Sequence, residues 1–290
     1  MHLGPSELIL NADHSIYHLN LHPQDIANTI LTVGDPDRVA KVSQYFDSIE
    51  IKKGKREFVT HTGYLNKQRI SVISTGIGTD NVDIVLNELD ALVNIDFDTR
   101  KLKQEHTKLQ FIRIGTSGAI QPDIAVNSFL LSEYAIGFDT LLHFYKSDSV
   151  QYHELSKALV EHLSWPNHQA LPYAVKCDEQ LAQTLRSNRI RFSTTVTNTG
   201  FYGPQGRTLR LALADSDLVS KLASFEHNGS RIANLEMETS GIYGLSKLMG
   251  HQAVSLNCIL ANRATGNFSK NPEKAIDELI QYTLGQLSRT

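Results

Sequence analysis

Arginines stand beside short segments rich in glycine and hydroxyl residues at several points of the sequence, a pattern that suits anion binding. The segment 113–122 reads Arg-Ile-Gly-Thr-Ser-Gly-Ala-Ile-Gln-Pro and continues an apolar run that predicts a strand. Glycine lets the backbone approach a ligand, hydroxyl and N–H groups face oxyanions, and a guanidinium offers phosphate a planar fork of donors. We expect the strand to end in a hydroxyl-rich turn over residues 115–118. A tight turn with a surface arginine is the alternative.

A second candidate anion site follows the predicted strand Thr29–Val33. The next residues read Gly-Asp-Pro-Asp-Arg, in which Asp35 can cap a helix and Pro36 can begin it. A strand, a glycine and a helix N-terminus together present backbone donors to an anion, and Arg38 adds positive charge in the first turn. An ordinary strand-to-helix connection with a solvated arginine is the alternative.

Two other clusters suit a flat ring and a diol better than an anion. The loop after Gly200 contains Phe201, Tyr202, Gln205 and Arg207, so it combines flat aromatic surfaces with donors and acceptors for the edge of a ring. Glu236-Met237-Glu238 follows another predicted strand, and a carboxylate there could accept two hydrogen bonds from a vicinal diol. A Gly/Pro turn and a solvated acidic turn are the respective alternatives.

Strands and helices alternate through much of the chain, and the polar clusters recur where strands end. This pattern predicts an α/β fold: a twisted mixed sheet flanked by helices, with its ligand site at the carboxyl edge. We interpret residues 1–290 as a single domain. Residues 94–108 are charged and predict a surface excursion, while 137–191 give little signal. The predicted strands are 29–33, 57–64, 69–74, 109–114, 128–136, 194–199, 232–235 and 253–260, and 65–68 is a predicted hairpin turn.

Composition restricts the class of protein. Lys+Arg number 28 and Asp+Glu 31, a balance that argues against nucleic acid as the main partner. Cys177 and Cys258 have no metal-ligand spacing and cannot form a disulfide framework, which favours a reduced, cytoplasmic setting. We see no signal peptide in the first fifteen residues and no apolar run of the ~20 residues that span a bilayer. Gly76-x-Gly78 lacks the third glycine of a dinucleotide fingerprint.

Taken together, seven segments resemble the nucleoside phosphorylase family, most closely its uridine phosphorylases. They occur in the order of that family between about residues 18 and 265. They are Gly34-Asp35-Pro36-x-Arg38, Arg56-Glu57-Phe58, Ser74-Thr75-Gly76-Ile77-Gly78, Arg113-Ile114-Gly115-Thr116, Phe201-Tyr202-x-x-Gln205-x-Arg207, Glu236-Met237-Glu238 and Asn262-Arg263.

The resemblance implies reversible phosphorolysis of a pyrimidine nucleoside to the free base and (deoxy)ribose 1-phosphate. Inorganic phosphate is then a co-substrate, and no other cofactor is needed. By the same resemblance, phosphate is held by Gly34, Arg38, Arg113 and Thr116, together with Arg56 from a neighbouring subunit. The protein is therefore expected to be a homo-oligomer, with a dimer as the minimum and a trimer of dimers as the larger form.

The resemblance also assigns the nucleoside contacts. His18 of a partner subunit reaches the 5′-hydroxyl, and Met237 and Glu238 hold the ribose, with the Thr116 hydroxyl between phosphate and sugar. The residues that the resemblance assigns to the base are Phe201, Gln205, Arg207 and Arg263, and those that it assigns to catalysis are Arg113, Arg207 and Arg263.

Some positions depart from the family pattern. Arg263 stands where purine nucleoside phosphorylases carry an aspartate that protonates the base, which argues against a purine substrate because arginine stays protonated. Gly206 replaces the usual acidic residue. A monovalent cation would bind between subunits at Glu57, Ile77 and Asn81, the last of which is usually serine. A purine-directed phosphorylase or nucleosidase, and a catalytically silent nucleoside-binding protein, remain alternatives.

Overall fold

The structure is a computed structural model that describes residues 2–289. Its helices are α1 (Pro36–Ser43), α2 (Thr79–Asn94), α3 (His153–Leu163), α4 (Glu179–Thr184), α5 (Leu218–Ser224), α6 (Thr239–Leu248) and α7 (Pro272–Leu287). Its strands are β1 (Thr29–Val33), β2 (Ser48–Lys55), β3 (Phe58–Leu65), β4 (Gln68–Ser74), β5 (Ile95–Asp96), β6 (Lys101–Leu102), β7 (Gln110–Ala119), β8 (Phe129–Gly137), β9 (Tyr173–Lys176), β10 (Ile190–Thr197), β11 (Glu226–His227), β12 (Ser230–Glu236), β13 (Gln252–Asn262) and β14 (Asn267–Phe268).

One large mixed sheet dominates the molecule. Its strand order is β11-β12-β10-β8-β13-β7-β1-β4-β3-β2, with β9 beside β8 and β14 beside β13. β12 also pairs with β7, so β12, β10, β8, β13 and β7 close on themselves. Helices pack on this sheet, for example α6 against β13 and α1 against β3 and β4. The predicted α/β class and the mixed, helix-flanked sheet are confirmed.

The central strands are buried because parallel strands are covered on both faces. β1 reads Thr-Ile-Leu-Thr-Val and is buried along its whole length, between β4 and β7. At its end the Asp35 side chain accepts a hydrogen bond from the Asp37 N–H at 3.0 Å and caps α1, whose first residue is Pro36. This is the strand-glycine-helix arrangement that the sequence predicts.

The expected turn over residues 115–118 is wrong, because β7 continues through these residues to Ala119. β13 runs parallel beside it, with Asn257 opposite Gly115 and Ile259 opposite Ser117, and β12 pairs with its last residues. The small residues therefore do not end the strand. They line one side of the ligand cavity described below.

The hairpin near residue 66 is confirmed, with β3 and β4 joined at Asn66 and Lys67, which both have positive φ. The sequence interpretation missed β2, which pairs antiparallel with β3 at the edge of the sheet. Its charged residues give it no continuous apolar run. Residues 94–108 form the short hairpin β5–β6, and Arg100 in that hairpin donates hydrogen bonds to the carbonyls of Leu3 and Gly4. Within residues 2–289, no helix combines the length and apolar character needed to cross a membrane.

Candidate active site

A cavity of about 850 Å³ opens where β1, β4, β7, β10, β12 and β13 end, at the carboxyl edge that the sequence predicts. Most of the predicted site residues line it. The predicted residues in its wall are Gly34, Arg38, Glu57, Ile77, Asn81, Arg113, Thr116, Phe201, Gln205, Arg207, Met237 and Glu238. Residues from six separate strand ends thus converge on one space.

Arg113 lies at the centre of the polar wall and is buried. Its Nη2 is 2.6 Å from Glu238 Oε2 and 3.2 Å from Glu236 Oε2. Its Nη1 donates to Asn257 Oδ1 at 3.0 Å and to Ser255 Oγ at 3.3 Å on the adjacent β13. Burial disfavours the guanidinium charge, but the two carboxylates outweigh it and raise the pKa of Arg113. Arg113 therefore stays charged in the interior.

Gly115 makes this position of Arg113 sterically allowed. The Arg113 guanidinium lies over Gly115, two residues further along the strand. A Cβ on Gly115 would lie only 2.0 Å from Arg113 Nη1. Side chains two residues apart in a strand share a face, so only glycine leaves room there. The glycine serves the arginine rather than a turn.

Glu236 anchors the carboxylate side of the site. It accepts hydrogen bonds from the hydroxyl of Thr197 at 2.6 Å and from that of Thr239 at 2.8 Å. It also accepts from the backbone N–H groups of Glu238 and Thr239, both at 3.0 Å. A carboxylate with this many donors at the start of α6 is strongly held. Glu236 fixes β10, β12 and α6 relative to Arg113.

Glu238 is the carboxylate more available to a ligand. Its Oε1 accepts from the Gly78 N–H at 2.8 Å, while its Oε2 faces Arg113. Burial raises the pKa of Glu238, and the nearby Arg113 offsets only part of that effect. The site thus brings a buried carboxylate and a buried guanidinium together at the cavity wall.

The anion side of the cavity contains Gly34, Arg38 and Thr116. Arg38 lies largely buried in the first turn of α1, and burial lowers its pKa. Its Nη1 is 3.4 Å from the carbonyl of Ile114, and it forms no ion pair with any residue in 2–289. The Thr116 hydroxyl makes no hydrogen bond to the described part of the chain. These donors remain available to a phosphate.

The opposite side is built by the 201–207 loop. Arg207 Nη1 donates to Gln205 Oε1 and to the Phe201 carbonyl, both at 2.7 Å. The Arg207 guanidinium carbon lies 3.8 Å from the centroid of the Phe201 ring. Gln205 is buried, and its amide nitrogen has no partner within residues 2–289. Phe201, Gln205 and Arg207 thus all line the cavity, and their role as a base site stays a prediction.

Arg263 differs from the other predicted base contacts. It does not line the cavity; its Nη1 and Nη2 donate to the carbonyls of Gln205 and Gly206. Both terminal nitrogens hold the loop instead of facing the ligand space. The structure therefore gives Arg263 a supporting position behind the base site, and a direct contact with the base stays a prediction.

His18 and Arg56 lie outside the cavity wall of their own subunit. Arg56 is exposed and has a φ of 56°, in the turn between β2 and β3. Lys55 connects the two: its Nζ donates to the Tyr17 carbonyl at 2.6 Å and lies 4.2 Å from the centroid of the Tyr17 ring. The two residues expected to act in a neighbour's site therefore belong to one surface region, which we call the donor corner (residues 17–18 and 55–56).

The three residues of the predicted cation site also lie together. A Cβ on Gly76 would meet Asn81 Nδ2 at 2.3 Å and Glu57 Cγ at 3.1 Å, and Ile77 is the next residue in the wall. A carboxylate, a backbone carbonyl and an amide oxygen are ligands suited to a hard monovalent cation. No cluster of three or more His, Cys, Asp or Glu suited to a metal occurs in residues 2–289. The cation site stays a prediction.

Sequence reasoning missed the residues that support Arg113. Ser255 and Asn257 lie within the apolar strand β13, where a lone serine and asparagine carry no motif. The signal available was Asn257 itself, because a buried amide in a parallel strand requires a polar partner.

A second cavity, of about 440 Å³, lies along the amino-terminal halves of β10 and β12 and contains none of the predicted site residues.

Known proteins with the same architecture place this site in a family. Residues 28–285 match the family model of the phosphorylase superfamily. A uridine phosphorylase of Thermococcus kodakarensis is 31% identical over 264 residues, which cover 89% of this chain and 81% of that protein. A DeoD-type purine nucleoside phosphorylase of Brevibacillus brevis is 26% identical over 270 residues, which cover 92% and 96% of the two chains.

A solved structure agrees with these relatives. The crystal structure of a Trypanosoma brucei nucleoside phosphorylase that shows uridine phosphorylase activity superposes with a TM-score of 0.87. The match covers 98% of this chain and 100% of that one at 26% identity. Because the family model spans nearly the whole chain and the fold and cavity agree with it, this chain belongs to the phosphorylase superfamily.

Proposed function

We propose that the protein is a uridine phosphorylase-like enzyme, a pentosyltransferase that cleaves a pyrimidine nucleoside with phosphate. The observation that carries the proposal is the composition of one cavity. Arg38 and Arg113 supply anion donors, Glu238 supplies an acceptor for ribose hydroxyls, and Gln205 with Arg207 supplies donors for a pyrimidine edge. The named uridine phosphorylases among its relatives support the same activity.

Phosphate would bind first to the backbone beside Gly34 and to Arg38, with the Thr116 hydroxyl between phosphate and sugar. The N-terminus of α1 favours an anion there because the helix dipole is positive at that end. Holding phosphate next to the anomeric carbon converts a bimolecular attack into a positioned one. The chain thus supplies proximity rather than a covalent nucleophile.

The ribose would be held by Glu238, which accepts hydrogen bonds from the vicinal hydroxyls, with Met237 beside it. As the C1′–N1 bond breaks, positive charge builds on the sugar, and the phosphate oxygen that forms the new bond faces it. Arg113 restrains Glu238 at 2.6 Å, so the carboxylate does not have to reorganise during the step.

The bond electrons pass to the departing base, and the proton it gains comes from phosphate or solvent. Gln205 and Arg207 would donate to the oxygens of uracil as negative charge develops. Phe201 packs beside Arg207 and offers a flat surface to the ring. Removal of one donor of this kind typically costs about 3–4 kcal/mol of transition-state stabilisation.

We infer that the active unit is a homo-oligomer, at least a dimer, with His18 and Arg56 entering the partner's site. Arg56 is exposed, the His18 side chain is 24% exposed, and neither residue lines the subunit's own cavity, which supports this arrangement. We further propose that residues 1–290 form one domain, of which Met1 and Thr290 lie outside the described residues, and that the enzyme works in the cytoplasm. Phosphate is its only required co-substrate, with an accessory monovalent cation at Glu57, Ile77 and Asn81.

A purine substrate is the second candidate, because relatives of similar coverage include purine nucleoside phosphorylases. The base loop argues against it: residues 201–207 contain no carboxylate, and Arg263 holds that loop. A panel of uridine, deoxyuridine, thymidine, inosine and adenosine, each with and without phosphate, tests both candidates by the free base released. We expect phosphate-dependent release of uracil. Release from inosine alone, or release that does not require phosphate, would contradict the proposal.

A further inference from the structure

His18 is held by a single carboxylate of α2. Its ring Nδ1 is 2.6 Å from Glu88 Oε1, and its own backbone N–H lies 3.0 Å from Glu88 Oε2. The N–H of Leu19 donates to the same Oε2 at 2.9 Å. One glutamate thus fixes both the backbone and the ring of His18, although 70 residues separate the two.

The direction of the ring hydrogen bond follows from the chemistry of the partners. A carboxylate can only accept, so the hydrogen shared at 2.6 Å belongs to Nδ1 of His18. In the neutral ring the other nitrogen, Nε2, then carries a lone pair. It makes no hydrogen bond to a residue in 2–289, and the side chain is 24% exposed. Nε2 is therefore free to accept a hydrogen bond from outside the subunit.

The surroundings leave the ring little freedom. The Tyr17 ring meets it edge-on with centroids 4.8 Å apart, and Lys55 holds Tyr17 from the other side. Closer to the N-terminus, the carbonyls of residues 3 and 4 accept hydrogen bonds from Arg100. Glu88 therefore contacts the ring directly, and Lys55 acts on it through Tyr17.

We infer that Glu88 is a positioning residue that sets the tautomer and the aim of His18, and through them the enzyme's requirement for a 5′-hydroxyl on its nucleoside. This inference rests on the proposed function, in which His18 enters the partner's ribose site. An aimed Nε2 acceptor selects nucleosides whose 5′ group donates a hydrogen bond. Nucleosides that lack this hydroxyl are correspondingly poor substrates.

Selectivity for uridine over 5′-deoxyuridine isolates this effect in kinetics. Loss of stability or of active protein lowers turnover of both substrates equally, so the ratio of their kcat/KM values reports only the 5′ contact. His18→Ala removes the 5′ contact completely. Its selectivity for uridine over 5′-deoxyuridine should fall about tenfold, as expected for one hydrogen bond of ordinary strength. Glu88→Gln keeps the size of the side chain, and its selectivity should fall by most of the same factor.

A double-mutant cycle tests whether Glu88 acts through His18. In the His18→Ala background, Glu88→Gln should leave the selectivity ratio unchanged. Glu105→Gln removes an exposed negative charge that makes no ion pair within residues 2–289, and it should behave as wild type. A wild-type ratio in Glu88→Gln, or a further loss of selectivity in the double variant, would overturn the inference.

Nitrogen-15 spectra of the histidine rings test the same contact without turnover. The His18 signal is identified by its loss in His18→Asn. We expect the Nδ1 of His18 to carry the ring hydrogen in the wild-type protein. In Glu88→Gln the hydrogen should no longer be confined to Nδ1. A hydrogen on Nε2 in the wild type would refute the positioning role. If the enzyme releases no uracil but the ring signals behave as expected, the proposed function fails while the Glu88–His18 contact stands.

Discussion

At the scale of residues, the cavity wall has no excess of positive charge before any ligand arrives. Its arginines are Arg38, Arg113 and Arg207, and its carboxylates are Asp35, Glu57, Glu236 and Glu238. Because Arg113 is already paired with both carboxylates, it supplies less net attraction to phosphate than its position suggests. Under the proposed function, the backbone dipole at α1 and Arg56 of a neighbouring subunit would therefore supply much of the attraction for a dianion. We then expect a subunit alone to hold phosphate weakly.

Arg113→Ala and Arg38→Ala should separate catalysis from stability. Both remove a phosphate donor, and each should lower kcat/KM for phosphate by at least 100-fold. Only Arg113→Ala leaves two buried carboxylates without their partner, a change that typically costs about 3–5 kcal/mol. Thermal unfolding should show a large drop in Tm for Arg113→Ala and a small one for Arg38→Ala. Equal Tm values would mean that the ion pairs contribute little to the fold.

The raised pKa of Glu238 predicts that nucleoside binding weakens at acidic pH. In the proposed function the ionised carboxylate accepts from the ribose hydroxyls, and burial makes it take up a proton at a higher pH than an exposed glutamate does. A raised carboxyl pKa means that the folded state binds this proton more tightly, so acidification does not unfold the protein through Glu238.

Calorimetric titration with uridine in the absence of phosphate measures this effect without interference from phosphate ionisation. The Kd should rise as the pH falls through the raised pKa. Glu238→Gln should bind weakly with a Kd that changes little over the same pH range. A pH dependence that persists in Glu238→Gln would assign the titration to another group.

At the scale of elements, the loop after β10 depends on backbone geometry that only glycine adopts easily. Gly206 has a φ of 65°, and a Cβ there would lie 2.6 Å from Val219 Cγ2. Its carbonyl accepts from Arg263 at 2.9 Å, so the glycine and the arginine stabilise the base loop together. A side chain at this position would therefore displace Val219.

Gly206→Ala should therefore raise KM for uridine, and Gly229→Ala is its matched control. Gly229 has a φ of 75° with no atom within 4 Å of an added Cβ. Both substitutions pay the cost of a left-handed conformation, about 1–2 kcal/mol. Only Gly206→Ala also displaces Val219 and shifts Gln205. We expect similar losses of Tm from strain but a higher KM for uridine in Gly206→Ala alone; unchanged KM values in both would show that the loop absorbs the methyl group.

The sequence predicted the elements whose signals are local. Asp35 and Pro36 mark the start of α1, and the apolar run of β1 is continuous, so both elements appear where expected. β2 was missed because a charged edge strand gains its pairing from β3, not from its own pattern. The continuation of β7 past Gly115 was missed because β13, far along the chain, supplies the hydrogen bonds.

For the site, the sequence predicted mainly which residues lie together in the cavity wall. Strand ends at a common sheet edge indicate which residues converge, and Arg38, Thr116, Gln205 and Glu238 do converge. The partners of Arg113 on β13 and the turn of Arg263 toward the loop depend on side-chain packing between distant strands, which no spacing rule encodes. Those contacts required the three-dimensional structure.

At the scale of the whole molecule, His18 and Arg56 of the donor corner do not line the cavity of their own chain. Glu57 lines that cavity, whereas its neighbour Arg56 is exposed. In the two-fold dimer that we propose, the same surface patch of both subunits meets, so the donor corner of one subunit can reach the cavity of its partner. Under that proposal catalysis depends on assembly, and each dimer completes two sites at once.

Mixing two inactive variants tests this dependence. Arg38→Ala disables a subunit's own site, whereas Arg56→Ala disables its partner's. In a mixed dimer one site then carries both defects and the other carries none. Random assembly of equal amounts makes half of the dimers mixed, so about a quarter of the wild-type activity should return. The same count holds for a trimer of such dimers.

Arg38→Ala mixed with Arg113→Ala is the control, because both changes act within one subunit. Every mixed dimer then has one defect in each site, and activity should not return. The subunits must be co-refolded or co-expressed so that exchange is complete, and light scattering should confirm the assembly. No recovery in the Arg38→Ala and Arg56→Ala pair would place Arg56 in its own subunit's site or outside any site. Recovery in the control pair would show instead that Arg38 and Arg113 do not act in the same subunit's site.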